Sequence, residues 1–482
     1  EIYTLSLHDA LPISRKDFGY LKSDVAGEML PVYYYGIQFS AEQKNPEQAF
    51  KYSEAMRNRK FLDQVGMSTA LSLDGVTEEE RQKIRTLSQR IEKLKEEMDE
   101  KKNIPSVDDS NESKNTALAL TYAEKELSEL DSSITNRIPK YALLRNPETV
   151  SAADAKKYCG KDRAILEYVI WKPEYKGSRN MDDLDSYCII ITNKKTRIVK
   201  LDGEYDYSES VEKLRRIAGL EDRDTKSKNK LEPLRNELYE KLVVPVLPYI
   251  KNKKRLLIVP DANLSMLPFD ILRKNEKSKM LCDTYAISLS PSISISSIRR
   301  SNAISSEKAF GIGGAWYDKE LSPQGHKDVL SRKIPKPEGK LWGDLPGTLD
   351  DLELLEKEIF SGGSFEKIIQ EDALESNFKK LSKQQKLLDY PIIIFAGHGV
   401  FNDSELPNCI LFSEYSGNFN DVSSDDGCLT ISEVANLNLN ADMMYLSACN
   451  TGRLDANSKD GMTGLVRSFM VGGAKNVGAT IW

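Results

Sequence analysis

Two short, uninterrupted apolar runs constrain this chain most: Pro391-Ile-Ile-Ile-Phe395 and Met443-Met-Tyr-Leu446. A strand with one wet face alternates apolar and polar residues. A run that is apolar at every position predicts a strand buried on both faces, as in a parallel sheet covered by helices. The first run leads into Ala396-Gly397-His398-Gly399, the second into Ser447-Ala448-Cys449-Asn450-Thr451-Gly452. Open parallel sheets bind ligands beyond the carboxyl ends of their strands. The pattern therefore places a histidine and a cysteine on one rim of one sheet. Glycines on either side of His398 let the backbone approach a substrate closely and present a peptide N–H.

The surroundings fit such a sheet. From about residue 141, β-rich runs at 164–171, 186–192, 196–201, 255–259 and 285–289 are interleaved with helical stretches at 208–218 and 231–246. A second series has strands at 309–313, 392–396, 443–448 and 476–482, with helices at 349–360 and 462–471. Strands separated by helices predict parallel sheets flanked by helices, in two α/β units over 141–300 and 301–482.

The residues before 141 read as helical. Asn45-Pro46-Glu47 combines a capping side chain, a proline suited to the first helical position and an acid that complements the helix dipole. The helix it opens is expected to stop at Gly66. Met29–Phe39 offers a partner helix despite Pro31, and the pair reads equally as one unit of a helical repeat or as a generic hairpin. Ile84, Leu87, Ile91, Leu94 and Met98 are spaced by threes and fours, as are Leu120, Ala123, Leu127, Leu130 and Ile134. Two such seams predict an antiparallel coiled-coil hairpin over 67–140, a structural strut packed against something else. Residues 1–14, which include His8, resemble translated sequencing-adapter sequence at the edge of a metagenomic fragment and are set aside as an artefact.

Composition removes several classes of function. The net charge is −6, whereas nucleic-acid binders carry a basic face that releases phosphate counterions. No run approaches the length of a membrane span. The six cysteines lack paired spacing, which argues against a zinc ribbon or a secreted disulfide scaffold and favours a reducing cytoplasm. His398 with Cys409, Cys428 and Cys449 lacks the clustering of a metal site, and the H-x-E and P-C-x-x-C pattern of zinc deaminases does not occur around these residues. Gly311-Ile-Gly313-Gly314-Ala-Trp316 has a tryptophan where a dinucleotide fingerprint needs its third glycine, so it reads as a strand-end turn. No metal and no cofactor is expected. Taken singly, a strand-end cysteine is most often a small buried hydrophobe and a histidine in a glycine-rich turn structural.

Together these segments resemble the CHAT family of caspase-like cysteine peptidases, which commonly follow tetratricopeptide repeats. Ala396-Gly-His398-Gly399 is similar to its histidine motif and Leu446-Ser-Ala-Cys449-Asn-Thr-Gly452 to its nucleophile motif. The interval of about fifty residues between them is also that of caspases. Leu257-Ile-Val-Pro-Asp261 with Leu267-Pro-Phe-Asp-Ile-Leu272, Leu345-Pro-Gly-Thr348, and Gly464-Leu-Val-Arg-Ser-Phe469 with Gly473-Ala474 are similar to further motifs, and Ala49-Phe-Lys-Tyr52 through Phe61-Leu62 to the last repeat helix before such a domain.

The resemblance implies a caspase-like parallel sheet in 301–482, with a non-catalytic α/β half in 141–300 and the end of a repeat region in 15–66. It implies Cys449 as nucleophile, His398 as proton acceptor and donor, and an oxyanion hole formed by the backbone N–H groups of Gly399 and Cys449. The function implied is a cytoplasmic cysteine endopeptidase acting on a protein substrate and regulated by a protein bound at the repeats, in bacterial defence or regulated cell death. Family members continue past the strand that reaches Trp482, so the catalytic half is expected to be truncated at its C-terminus, with part of its specificity pocket beyond that residue. The rival reading is a non-catalytic interaction scaffold that keeps the fold. Intact His398 and Cys449 weigh against it.

Overall fold

The computed structural model describes residues 23–71, 73–102, 110–139, 141, 149–171, 185–218, 225–298, 307–317, 321–330, 343–360, 364–400, 408–413, 425–448 and 464–479. Residues 1–14 and Cys449 lie outside them. Helix α1 (Ser23–Glu42) carries Pro31 within it, and α2 (Pro46–Leu71) starts where Asn45 Oδ1 accepts the Gln48 N–H at 3.1 Å. Helix α2 runs through Gly66 rather than stopping there. An interior glycine costs only about 1 kcal/mol, and burial of Ala70 and Leu71 beyond it offsets that. Helices α3 (Glu78–Lys102) and α4 (Ser110–Arg137) form the helical hairpin. Thr77 and Glu80 close a reciprocal capping box on α3. Ile84, Leu87 and Ile91 meet Ala123, Leu127 and Ile134, while Glu80 at one end of α3 holds Arg137 at the far end of α4 (2.8 Å).

The first sheet follows α5 (Ala152–Cys159) and contains β1 (Arg163–Val169), β2 (Tyr187–Ile191), β3 (Thr196–Lys200), β4 (Arg255–Val259) and β5 (Ala286–Leu289) in the order β3-β2-β1-β4-β5. It is mixed where the sequence predicts a parallel sheet. Strands β1, β4 and β5 are parallel, but β2 pairs antiparallel with both β1 and β3. The β2–β3 connection, closed by the Thr192 N–H on Lys195 O, is far too short for a parallel crossover. Helices α6 (Tyr207–Ala218) and α7 (Thr225–Leu238) cover one face; α1, α2 and α5 cover the other. Beyond β5 lies the short helix α8 (Ile293–Ile298).

On the face toward α2, β1 presents Ile165, Glu167 and Val169, and Glu167 is fully buried. Its partner is Arg57 of α2. Arg57 donates from Nε to Glu167 Oε1 (3.1 Å), from Nη1 to Pro260 O (2.7 Å) and from Nη2 to Tyr168 O (2.5 Å). Three residues earlier, Glu54 accepts the N–H groups of Ile293 and Ser294 and the Ser294 hydroxyl. Asp261 Oδ2 accepts the Tyr34 hydroxyl and the Ile170 N–H, both at 3.0 Å. These contacts clamp the N-terminal helices onto the first sheet.

The second sheet is parallel throughout, in the order β13-β12-β8-β6-β7. In chain order its unit comprises β6 (Ala309–Gly313), α9 (Pro323–Leu330), α10 (Pro346–Glu358), β7 (Phe365–Ile369), α11 (Glu375–Lys383), β8 (Ile392–Gly397), β9 (Gly399–Val400), β10 (Cys409–Leu411), β11 (Cys428–Thr430), α12 (Ile431–Asn436), β12 (Met443–Ala448), α13 (Gly464–Gly472) and β13 (Val477–Ala479). Ile393 and Phe395 of β8 face α11, α12 and α13, and Ile394 faces Leu352 of α10, so this strand is buried on both faces as predicted. Strand β12 departs from prediction. Met444 and Leu446 are buried, but Met443 and Tyr445 are 38% and 43% exposed, because α10 lies against β6 and β8 instead. Strands β9, β10 and β11 form a separate antiparallel sheet, pinned by a Cys409–Cys428 disulfide with Cα atoms 5.8 Å apart. Two of the cysteines expected to stay reduced are thus bonded, since adjacent strands bring residues distant in sequence within bonding reach.

Helix α2 also contacts α12 and α13. Ala435 and Val471 from those helices share a core with the α3–α4 hairpin, and the Asp74 N–H donates to Asn436 Oδ1 at 2.8 Å.

The clamp makes stability depend on pH. Burial, aided by the nearby negative charge of Glu54 and opposed by Arg57, pushes the Glu167 carboxyl from 4.5 up to about 8. Between those values the folded protein holds a proton that the unfolded chain has released, so stability falls as pH rises. We expect the opening free energy of the β1 amides, read by hydrogen exchange corrected for intrinsic rate, to drop by roughly a few kcal/mol from pH 5 to pH 8. Glu167→Gln should flatten that slope, and an unchanged slope in the variant would place the titration elsewhere.

Candidate active site

The parallel register of β8 and β12 runs from Ile392 opposite Met443 to Gly397 opposite Ala448. His398 is the next residue after Gly397, and Cys449 is the next residue after Ala448. The two chain positions predicted from sequence therefore follow directly on a register pair at the same strand ends. Cys449 itself is not among the described residues.

His398 stands where the chain leaves the parallel sheet for the small antiparallel one, and it is held from three sides. Its backbone C=O accepts the Leu411 N–H at 3.0 Å. Its backbone N–H donates to the Tyr317 hydroxyl at 3.2 Å, and that hydroxyl donates onward to Leu411 O at 3.2 Å. The phenol thus stands in for a missing ladder bond between β10 and the His398 peptide. Its ring meets the imidazole edge-on, with centroids 4.6 Å apart. Burial raises the Tyr317 pKa far above the usual phenol range, so it remains a hydroxyl able to donate. Gly397 makes room: a Cβ there would lie 2.5 Å from the Tyr317 oxygen.

The imidazole Nε2 lies 2.9 Å from the carbonyl oxygen of Gly343. A carbonyl only accepts, so Nε2 carries the proton and the lone pair of the neutral ring resides on Nδ1. The group that meets Nε2 is a backbone carbonyl.

Gly399, predicted as an oxyanion donor, faces Ile410. With Leu411 bonded to His398, the alternation of the antiparallel ladder puts Gly399 opposite Ile410 at a pair that exchanges no bonds. Its N–H is directed off the edge of β9, which is the outer strand of its sheet.

Tyr317 and Gly343 were missed by sequence reasoning. Tyr317 follows the glycine-rich Gly311–Trp316 segment, which reads only as a turn, and a backbone carbonyl leaves no side-chain signature. Cys409 and Cys428, weighed as metal ligands with His398, are joined to each other and offer no thiolate. Among the described residues no group of three or more His, Cys, Asp and Glu side chains could hold a metal ion, and no helix is long and apolar enough to cross a membrane.

A family model described as the CHAT domain matches residues 232–482, just over half of the chain. The match includes Tyr317, Gly343, His398, Gly399 and Cys449. No curated protein matches the chain.

The Tyr317 bridge can be tested on its own. Tyr317→Phe keeps the ring and strands both the His398 N–H and the Leu411 carbonyl in a buried place. We expect a loss of about 1–3 kcal/mol in urea or thermal unfolding. A loss below about 0.5 kcal/mol would mean that water substitutes for the hydroxyl.

Proposed function

From the premise that this chain belongs to the CHAT-domain family of caspase-like cysteine peptidases, we propose that it is a cysteine endopeptidase working through a dyad of Cys449 and His398. The observation that carries this reading is the β8–β12 register, which ends each strand one residue before a dyad member.

His398, neutral and protonated on Nε2, takes the thiol proton of Cys449 on Nδ1. The thiolate adds to the scissile carbonyl carbon, and the oxyanion accepts the N–H groups of Gly399 and Cys449. Donors of this kind supply about 10²–10³ in rate each. The imidazolium then returns its proton to the leaving amine and a thioester remains. A water deprotonated by the same imidazole attacks it, releasing the acid and the free thiol. The Gly343 carbonyl keeps the ring in the required tautomer and supports the imidazolium that forms in each half-reaction.

The N-terminal helices supply regulation in this proposal. Helix α2 is clamped to the first sheet through Glu54 and Arg57 and reaches α12 and α13 near its far end. These two helices precede and follow β12 in the chain, so a protein bound on the helical region can bias the strand that leads into Cys449.

Thiol reactivity tests the dyad without a known substrate. Cys159 and Cys188 are buried, and burial pushes the former to about 11 and the latter well above the ordinary range; Cys409 and Cys428 are bonded. Exposed Cys282 remains as an internal reference. We expect Cys449 to alkylate about tenfold faster than Cys282 near pH 7, read by peptide mapping, with His398→Ala removing the excess. In a parent protein that cleaves a peptide library, Cys449→Ala should abolish that cleavage while the fold is kept. Equal alkylation rates at the two thiols, unchanged by His398→Ala, would favour the scaffold reading.

A further inference from the structure

The Gly343 carbonyl poses a physical problem. Glycine has the widest backbone freedom of any residue, so nothing in Gly343 itself fixes where its carbonyl points. Yet that oxygen is the fixed contact of His398 Nε2. Something beside it has to hold it.

We propose that Asp344, itself held by His326, is the positioning residue of His398. It fixes at once the Gly343 carbonyl that receives Nε2–H and the Tyr317 that grips the His398 backbone. The proposal rests on the reading of His398 as the catalytic base.

Asp344 is fully buried, and a buried carboxylate persists only where hydrogen bonds compensate it. Its Oδ1 accepts the Tyr317 N–H at 2.8 Å, and its Oδ2 accepts from His326 Nδ1 at 2.5 Å. One side chain therefore ties together the 316–317 segment, helix α9 and the peptide that precedes it. The His326 ring lies flat on Trp316, with centroids 4.7 Å apart and planes within 3°. Trp316 is anchored in turn, its backbone N–H donating to Ser413 Oγ at 2.9 Å. On the other side the chain enters α10 through Leu345 and Pro346, where Leu345 O accepts the Thr348 N–H and hydroxyl. Gly343 is thus followed at once by an anchored side chain and a fixed helix start.

The consequence reaches His398 by two routes. One runs from Asp344 to the Gly343 carbonyl and Nε2. The other runs from Asp344 through the Tyr317 backbone to its hydroxyl and the His398 N–H. Loss of the side chain loosens both, and loss of its second acceptor oxygen alone frees His326 and loosens the first, while neither change removes a group that touches a substrate. The expected result is a His398 that samples both tautomers and a base held less well against Cys449.

The test uses the full chain and two readouts. Only three histidines are present, so imidazole nitrogen NMR of the His-labelled protein can assign the His398 tautomer in the wild type, Asp344→Asn and His326→Ala. Asp344→Asn retains an acceptor for the Tyr317 N–H, and His326→Gln retains a donor toward Asp344. We expect a single Nε2–H tautomer in the wild type, a mixture in Asp344→Asn and His326→Ala, and restoration in His326→Gln. Alkylation of Cys449 should slow about tenfold in the first two variants, part of the about 10²–10⁴ that a positioned base supplies, with Cys282 unchanged. A folded Asp344→Asn protein with one unshifted Nε2–H tautomer and wild-type alkylation would overturn the proposal. If His398→Ala also leaves Cys449 alkylation unchanged, the peptidase reading has failed, and the tautomer measurement still decides the positioning role by itself.

Discussion

The parallel ladder between β8 and β12 is the contact on which the site depends. Register in a buried sheet is set by which residues face the core, and a slip of one residue would turn Ile393 and Phe395 away from α11, α12 and α13. That cost locks Gly397 opposite Ala448, the residues that precede His398 and Cys449 in the sequence. The end of β8 is therefore placed beside the end of β12 by hydrophobic burial some distance from the rim. Exposed Met443 and Tyr445 do not weaken this, because the register is fixed by the face of β12 that carries Met444 and Leu446.

A second constraint links the N-terminal helices to that ladder. Arg57 is fully buried among Glu167, Asp261 and Glu54, all of which raise its pKa against the opposing effect of burial. Removing the Arg57 side chain would strand Glu167 and the Pro260 and Tyr168 carbonyls in a buried place, at about 1–3 kcal/mol for each group left unsatisfied. The helix carrying Arg57 is consequently a fixed part of the first sheet, while its other end meets the helices on either side of β12. In the proposed regulation, displacement at that end bears on the second sheet with little give at the first.

Features whose cause is local were legible in the sequence. The apolar run of β8, the threes-and-fours spacing that joins α3 to α4, and the Asn45 cap each depend on neighbours along the chain. Features that depend on distant partners were not. Strands β7, β10 and β11 are three to five residues long and carry no periodicity of useful length. The mixed first sheet follows from one tight connection, at 193–195, whose residues suggest a turn without specifying the direction of pairing. Glu167 is an instructive case. A carboxylate inside Ala164-Ile-Leu-Glu-Tyr-Val169 announces that a cation or donor must meet it, but not that the partner sits more than a hundred residues upstream.

A buried His–Asp pair is the arrangement most readily taken for catalytic machinery, and the chain has one in His326 and Asp344. Geometry assigns it a supporting role instead. His326 has Nδ1 committed to Asp344 and a ring face covered by Trp316, and it belongs to α9 and not to a strand end. His398 follows the strand whose register partner leads into the thiol, and its Nε2 is committed to a carbonyl that leaves the basic nitrogen on the other side of the ring. A backbone carbonyl is also the better neighbour for a base that must cycle between neutral and charged forms. It holds the tautomer without the full charge of an adjacent carboxylate, which would favour the imidazolium and make the proton harder to return to the leaving amine. In the proposed mechanism, placing the carboxylate one residue further along, on Asp344, retains its anchoring strength while Nε2 of His398 meets the Gly343 carbonyl.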